Sequence, residues 1–176
     1  NEHIRSGKIY AIGASNWELP RIIEANKYAK ENGLIGFTFN SPNLSLAKCK
    51  KPRWEGSVSA DLEMVSWHEK TGLPLFSWSA QAGGFFSGRF TRENKDDQEM
   101  VDVFYNDDNW ERYDRAVKMA ENKGLTPIQT ALAYVLNQKF PTTAVIGPEN
   151  ITELISSYNG SKLSLTAKEV DWLDLK

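Results

Sequence analysis

Short apolar runs alternate along the chain with longer amphipathic stretches, a pattern that predicts strands separated by helices. The first run, Lys8-Ile9-Tyr10-Ala11-Ile12-Gly13, reads as a strand. A helix follows over residues 18–32, with Ile22, Ile23 and Ala29 on its inner face. A second strand is expected over residues 35–39, then a long loop through Pro42 and Pro52 and a helix over residues 59–70. The third strand spans residues 73–78 and leads into a glycine-rich turn, Ala82-Gly83-Gly84. Residues 93–108 are polar and show no clear period; a helix is expected over residues 109–123. The next helix opens on Thr126-Pro127-Ile128-Gln129, with Thr as N-cap, Pro at the first turn and Gln closing a capping box. Its buried stripe is Ile128, Ala131, Leu132, Val135 and Leu136. A fourth strand over residues 143–146 precedes two helices capped by Asn150 and Thr166, each with a glutamate three residues on, Glu153 and Glu169. Gly33, Gly72 and Gly124 each stand where a helix must stop in the left-handed conformation.

The order is therefore βαβαβααβαα. Strands joined through helices return to the same end and run parallel. Four such units amount to half of an eight-fold barrel, a fold that takes about 250 residues when complete. An open doubly wound sheet uses the same units, and periodicity does not separate the two.

Composition narrows the function. With 176 residues and 40% hydrophobic content, the chain has the core of one soluble domain over residues 1–176. Its 21 basic and 23 acidic residues are evenly mixed, leaving no basic stripe to neutralise a nucleic-acid backbone. No long apolar run is present that would enter a membrane. A lone cysteine, Cys49, forms no internal disulfide, which together with the lack of a secretory leader points to a cytoplasmic setting. Nothing around Cys49 marks it as catalytic, and no metal-ligand spacing occurs. The chain opens Asn1-Glu2-His3 without an initiator methionine, as a processed or cut piece would.

Four motifs, each following an expected strand, carry the chemistry. They are Gly7-Lys8-Ile9-Tyr10-Ala11-Ile12-Gly13-Ala14-Ser15-Asn16-Trp17, Asn40-Ser41-Pro42-Asn43-Leu44-Ser45-Leu46, Leu75-Phe76-Ser77-Trp78-Ser79-Ala80-Gln81-Ala82-Gly83-Gly84-Phe85-Phe86-Ser87-Gly88-Arg89-Phe90, and Val145-Ile146-Gly147-Pro148-Glu149-Asn150-Ile151-Thr152-Glu153-Leu154. In this order they resemble the fifth to eighth strand regions of the aldo-keto reductases, over residues 7–175. The resemblance implies an α/β fold, half of a (β/α)8 TIM barrel with extra C-terminal helices. It further implies an oxidoreductase that interconverts carbonyl and alcohol by hydride transfer with NADP or NAD, on a small carbonyl substrate.

Carried over by motif, Ser15 and Asn16 meet the nicotinamide carboxamide, where the residue-level alternative for Asn16 is a helix cap. Ser41 stands where the family has a glutamine, and a turn around Pro42 is the plain reading of that segment. Trp78 holds the place of the aromatic that stacks on the nicotinamide ring. Ser79, Ala80, Gln81, Ala82 and Gly83 lie along the pyrophosphate, with Arg89 as the nearby cation in place of a usual lysine. Gly147, Glu149, Asn150, Glu153, Ser156 and Ser157 fall on contacts to the adenosine phosphate at a helix N-terminus. Glu149, Glu153 and Ser157 depart from the usual residues there.

The family's proton-transfer set, an Asp, a Tyr, a Lys and a His, comes from the first half of the barrel and has no counterpart here. His3 lies at the terminus, and His68, beside Glu69 and Lys70, is expected as an exposed helix residue. Two rival readings stand beside the oxidoreductase: a truncated dinucleotide- or partner-binding module without chemistry, and a structural half-barrel that forms a homodimer through its open edges.

Overall fold

The computed structural model describes residues 1–176. Its elements in chain order are α1 (Glu2–Arg5), β1 (Gly13–Ser15), α2 (Leu19–Glu31), β2 (Phe39–Ser41), α3 (Leu62–Thr71), β3 (Leu75–Ser77), a 3-10 turn (Ala82–Ser87), α4 (Gln98–Phe104), α5 (Asp107–Lys123), α6 (Pro127–Leu136), β4 (Thr142–Ala144), α7 (Ile151–Ser161) and α8 (Ala167–Leu173). The four strands form one sheet in the order β1-β2-β3-β4, parallel throughout. Gly13 pairs with Phe39, Asn40 with Leu75, and Ser77 with Ala144. Sequential parallel neighbours with helical crossovers are the arrangement of part of a barrel.

The ladders are shorter than the apolar runs that announce them. Lys8 and Ile9 donate their backbone N–H groups to the His3 carbonyl, which draws the start of the first run onto α1. Ile35 N–H is bound by the Asn1 side chain at 2.7 Å and Phe37 N–H by Asn26 at 2.7 Å, so side-chain amides hold the second run where a strand would.

The main core is a cluster of 20 buried residues, the earliest of them Leu46. It packs Phe85, Phe86, Phe104 and Trp110 against Leu132, Val135 and Leu173. The helix α6 is buried nearly all round rather than on one stripe, with Thr130, Ala133 and Tyr134 inside as well. Gln129 closes its capping box by accepting from Thr126 N–H at 3.0 Å, and Asn150 and Thr166 cap α7 and α8 as their sequences require. On α2, Ile22 and Ala29 are buried but Ile23, one position further round the helix from Ile22, is 44% exposed.

The outer edges of β1 and β4 have no strand partner. Apolar side chains lie exposed at both flanks: Ile9, Tyr10, Ile23 and Ile35 on one side, Val145 and the α7 stripe Ile151, Leu154, Ile155 and Tyr158 on the other. The stripe has i, i+3, i+4, i+7 spacing, the pattern of a helix face that packs on something.

Two further expectations are corrected. Residues 98–104 form a helix within the stretch read as aperiodic; Asp97 accepts from Met100 N–H at 3.0 Å and Met100, Val103 and Phe104 turn inward. His68 is fully buried, not exposed: it follows Met64 by four residues on the inner face of α3, while Glu69 and Lys70 take the water side. One ring nitrogen, Nδ1, lies 2.7 Å from the Leu73 carbonyl, and the ring stacks on Phe140 at 5.2 Å.

Burial pushes the His68 pKa below the ordinary imidazole value of 6.5. The unfolded chain then binds a proton near that pH which the folded chain refuses, so stability present above 6.5 is lost as pH falls through it. Urea midpoints measured at neutral and mildly acidic pH should fall for the native chain, and His68→Gln should flatten that dependence while lowering stability at both pH values.

Candidate functional site

The C-terminal ends of parallel strands all open on one side of a sheet, and the loops that leave them are tied together here. Ser15 Oγ donates to the Ser41 carbonyl at 2.9 Å, and Ser41 Oγ donates to the Phe76 carbonyl at 2.7 Å. The two hydroxyls thereby link β1 to β2 and β2 to β3. Beyond Ser15 the chain turns sharply at Asn16, whose φ of +56° is one that asparagine tolerates. Its amide oxygen accepts from Val58 N–H at 3.1 Å and from the Trp78 indole N–H at 3.1 Å. The N-cap position of the helix that follows is Glu18, and the recorded partners of the Asn16 amide oxygen are Val58 and Trp78, not a helix N–H.

Trp78 is thus fixed at one edge by Asn16. Asn43 fixes it at the backbone by donating to its carbonyl at 3.0 Å, and Trp54 lies over the ring at 4.5 Å between centroids, tilted by 38°. A large flat surface with a locked orientation results.

The chain next runs through Ser79, Ala80, Gln81, Ala82 and Gly83 with repeated left-handed residues: Ser79 at φ +48°, Ala82 at +52°, Gly83 at +61° and Gly84 at +83°. Within this loop only Ala82 and Gly84 send their N–H groups to a carbonyl, those of Ser79 and Gln81. The N–H groups of Ser79, Ala80, Gln81 and Gly83 have no acceptor in the chain. Ala80 is 1% exposed, so its donor is a buried orphan of the kind that costs about 1–3 kcal/mol. Successive free N–H groups in such a turn form an anion-binding concavity. Phe85 and Phe86, both buried, anchor its far end in the core.

Two guanidinium groups flank the concavity. Arg89 lies against Gly84, where an added Cβ would meet its Nη2 at 2.5 Å. Arg53, which carried no expectation from the sequence, donates through Nη1 to Ser79 Oγ at 3.0 Å. A Cβ on Gly83 would lie 3.4 and 3.5 Å from its two terminal nitrogens. The only sequence signal for Arg53 was its place in a loop leaving β2.

The remaining expected residues follow β4. Gly147, Glu149 and Asn150 are exposed at the start of α7, whereas Ser157 is buried and Ser156 gives its carbonyl to the Gln129 side chain at 3.2 Å. Glu153 folds back on the helix start, accepting from Glu149 N–H at 2.9 Å and from the Asn150 amide at 3.2 Å. A carboxylate therefore already sits at this N-terminus. No hydrogen bond joins this group to the Ser79–Gly83 loop, which it neighbours through the pairing of β3 with β4.

The fold accords with that of a solved structure found by comparison. The sequence profile of the Aldo/keto reductase family matches residues 1–176. The chain belongs to this family. It is 23% identical over 162 residues to an uncharacterized oxidoreductase, YrpG, of Bacillus subtilis, covering 92% of the chain and 47% of that protein. It is 26% identical over 182 residues to norsolorinic acid reductase B of Aspergillus parasiticus, covering 99% of the chain and 44% of that protein. Its structure is similar to that of a thermostable aldo-keto reductase, Tm1743, solved with the inhibitor epalrestat, at a TM-score of 0.67 and 17% identity over 99% of this chain and 51% of that one. The chain spans about half the length of each.

A tyrosine and a lysine do meet in this aldo-keto reductase chain, but elsewhere. Lys48 Nζ donates to Tyr134 Oη at 2.9 Å and pairs with Asp174 at 3.0 Å. Tyr134 is 2% exposed, and the cavity it lines, about 570 Å³, shares Asn43 with the surroundings of Trp78 but is not lined by Trp78, Ser79 or Arg53. In the same region burial pushes the Cys49 thiol up, away from the reactive thiolate. No helix is long and apolar enough to cross a membrane, and no group of His, Cys, Asp and Glu could hold a metal ion.

Replacing Asn16 with Ala removes the acceptor shared by Val58 and Trp78 and leaves the Cβ at positive φ without the amide that compensates for it. A loss of about 2–4 kcal/mol is expected from urea unfolding. Asn16→Gly, which relieves the φ cost alone, should recover only part of it.

Proposed function

We propose that this chain is the C-terminal, cofactor-holding half of an NAD(P)-dependent aldo-keto reductase that interconverts a small carbonyl compound and its alcohol. The buried, unpartnered N–H of Ala80 carries the reading: a donor without an acceptor, in a row of free donors between two arginines, suits a diphosphate. The locked Trp78 beside it suits the nicotinamide ring, with Ser15 and Asn16 next to the carboxamide. Bound there, the nicotinamide supplies the hydride. The chain's own part is to hold the ring flat and fix the face that reacts, which sets the distance and angle of transfer.

We assign proton transfer to the four further units that a complete (β/α)8 barrel has. Hydride delivery leaves an alkoxide, and Tyr134, the tyrosine that meets a lysine, is buried in another cavity. The same four units would cover the exposed stripe on α7 and the flank of β1. Given NADPH and a reactive aldehyde, these residues alone should show no reduction above background, since positioned acid–base groups contribute about 10²–10⁴-fold. Vigorous reduction that Tyr134→Phe abolishes would overturn this assignment.

At α7 the balance of charge disfavours an added phosphate, because Glu149 is exposed at the helix start and Glu153 already occupies it. A unit charge ~6 Å from a phosphate contributes roughly 0.7 kcal/mol in water-like surroundings, and reversing Glu149 changes two such units. Glu149→Arg in the full-length chain should therefore tighten NADPH about tenfold more than NADH, with the gap closing in high salt. Titration of both cofactors by tryptophan quenching measures it; an equal effect on the two would place Glu149 away from the phosphate.

A further inference from the structure

Resting on the reading of Ser79–Gly83 as the pyrophosphate loop, we infer that Arg53 is a diphosphate-binding residue and that Glu99 is its counter-ion, which the diphosphate displaces or shares. Three observations converge on it. First, the side chain is placed by the fold and not left in solvent: it is 16% exposed, with Nη1 3.0 Å from Ser79 Oγ and the guanidinium stacked over Phe104 at 5.8 Å. Second, both terminal nitrogens face the bare side of Gly83, within 3.4 and 3.5 Å of where a Cβ would stand, so the cation borders the free N–H groups of the loop. Third, its donors are only partly used. A guanidinium has five N–H groups; Nε and Nη2 each give one to Glu99 Oε1, at 3.1 and 2.6 Å, and Nη1 gives one to Ser79. Two remain, one on each terminal nitrogen, and two oxygens of a diphosphate match that pair.

Glu99 belongs to α4 and is 57% exposed, so its grip on Arg53 is a surface one that an anion bearing two charges can outcompete. Arg53 arrives from the β2–α3 loop and Glu99 from α4, so their ion pair ties these two elements together beside Ser79 and Gly83. Trp54, the next residue, lies on Trp78, so one short segment reaches both the aromatic plate and the anion cradle.

The test is calorimetric titration of the full-length chain with NADH and with NADPH, comparing the native protein with Arg53→Met, Arg53→Lys and Glu99→Gln, each checked for folding by circular dichroism. Because the two cofactors share the diphosphate, Arg53→Met should weaken both by the same factor, roughly tenfold to a hundredfold. Arg53→Lys should restore part of the loss, and Glu99→Gln should tighten both. Native-like affinity in Arg53→Met and Glu99→Gln, with the unsubstituted chain binding normally, would overturn the assignment and leave the cofactor reading standing. A loss confined to NADPH overturns it too, by moving Arg53 to the adenosine phosphate. If the unsubstituted chain binds neither cofactor, both readings fall together. Should Arg53→Met not fold, the response to Glu99→Gln decides alone.

Discussion

Buried and half-buried side-chain amides standing in for β-ladder hydrogen bonds are the interaction on which the rest of this structure depends. Strands of three residues satisfy few backbone groups, and the loops around them must find partners elsewhere. An asparagine amide carries one donor group and one acceptor on a short arm, the same pair as a peptide unit, so it can replace a missing strand neighbour. Asn26 takes both the N–H and the carbonyl of Phe37. Asn109 does the same for Lys48 and also holds the Phe104 carbonyl, while Asn137 spans the Leu163 carbonyl and the Leu165 N–H. Asn16 and Asn43 are the members of this set that face the strand ends.

The candidate site grows from those two. Asn16 fixes the indole edge of Trp78 and Asn43 its carbonyl, so the chain reaches Ser79 with its direction already set. The chain that follows holds left-handed residues at Ser79, Ala82, Gly83 and Gly84, and the N–H groups of Ser79, Ala80, Gln81 and Gly83 are left without acceptors. Had a further asparagine reached over to satisfy Ala80, the loop would be stabilised and the cradle closed. A functional site of this kind is where local satisfaction is withheld while the surrounding amides over-determine the backbone.

Much of the architecture was legible because helix punctuation is local: Gly33, Gly72 and Gly124 all adopt positive φ, and the Asn150 and Thr166 caps hold. Parallel pairing followed from the crossovers alone. What escaped depended on tertiary partners. The strand bounds shifted because Asn1 and Asn26 intercept the second apolar run from distant positions, and His68 was misjudged because its charged neighbours hid that it shares a face with Met64. Helix α4 was short enough that three inward residues among acidic ones gave no visible period. The motif residues Ser15, Asn16, Ser41, Trp78 and Ser79 lie along one hydrogen-bonded track, but Arg53 could not be placed beside them, since its loop's path is fixed only by contact with Glu99 and Ser79.

The two anion-seeking corners of the chain are electrostatically opposite, and that asymmetry constrains how a dinucleotide could be held. At Ser79–Gly83 free donors lie between Arg53 and Arg89, with Glu99 the one carboxylate paired there. Just before α7 the Glu149 N–H and the Asn150 side-chain amide already donate to the Glu153 carboxylate, and Glu149 adds a second negative charge. Helix-end attraction for an anion amounts to about 0.3–1 kcal/mol at an exposed terminus, small enough for an internal carboxylate to saturate. Charge-assisted bonds to a partly buried guanidinium are each about 1.5–3 kcal/mol. On the proposed reading, affinity for a dinucleotide would come chiefly from the diphosphate and from a ring stacked on Trp78, leaving the adenosine end to tune which cofactor is preferred rather than whether one is held.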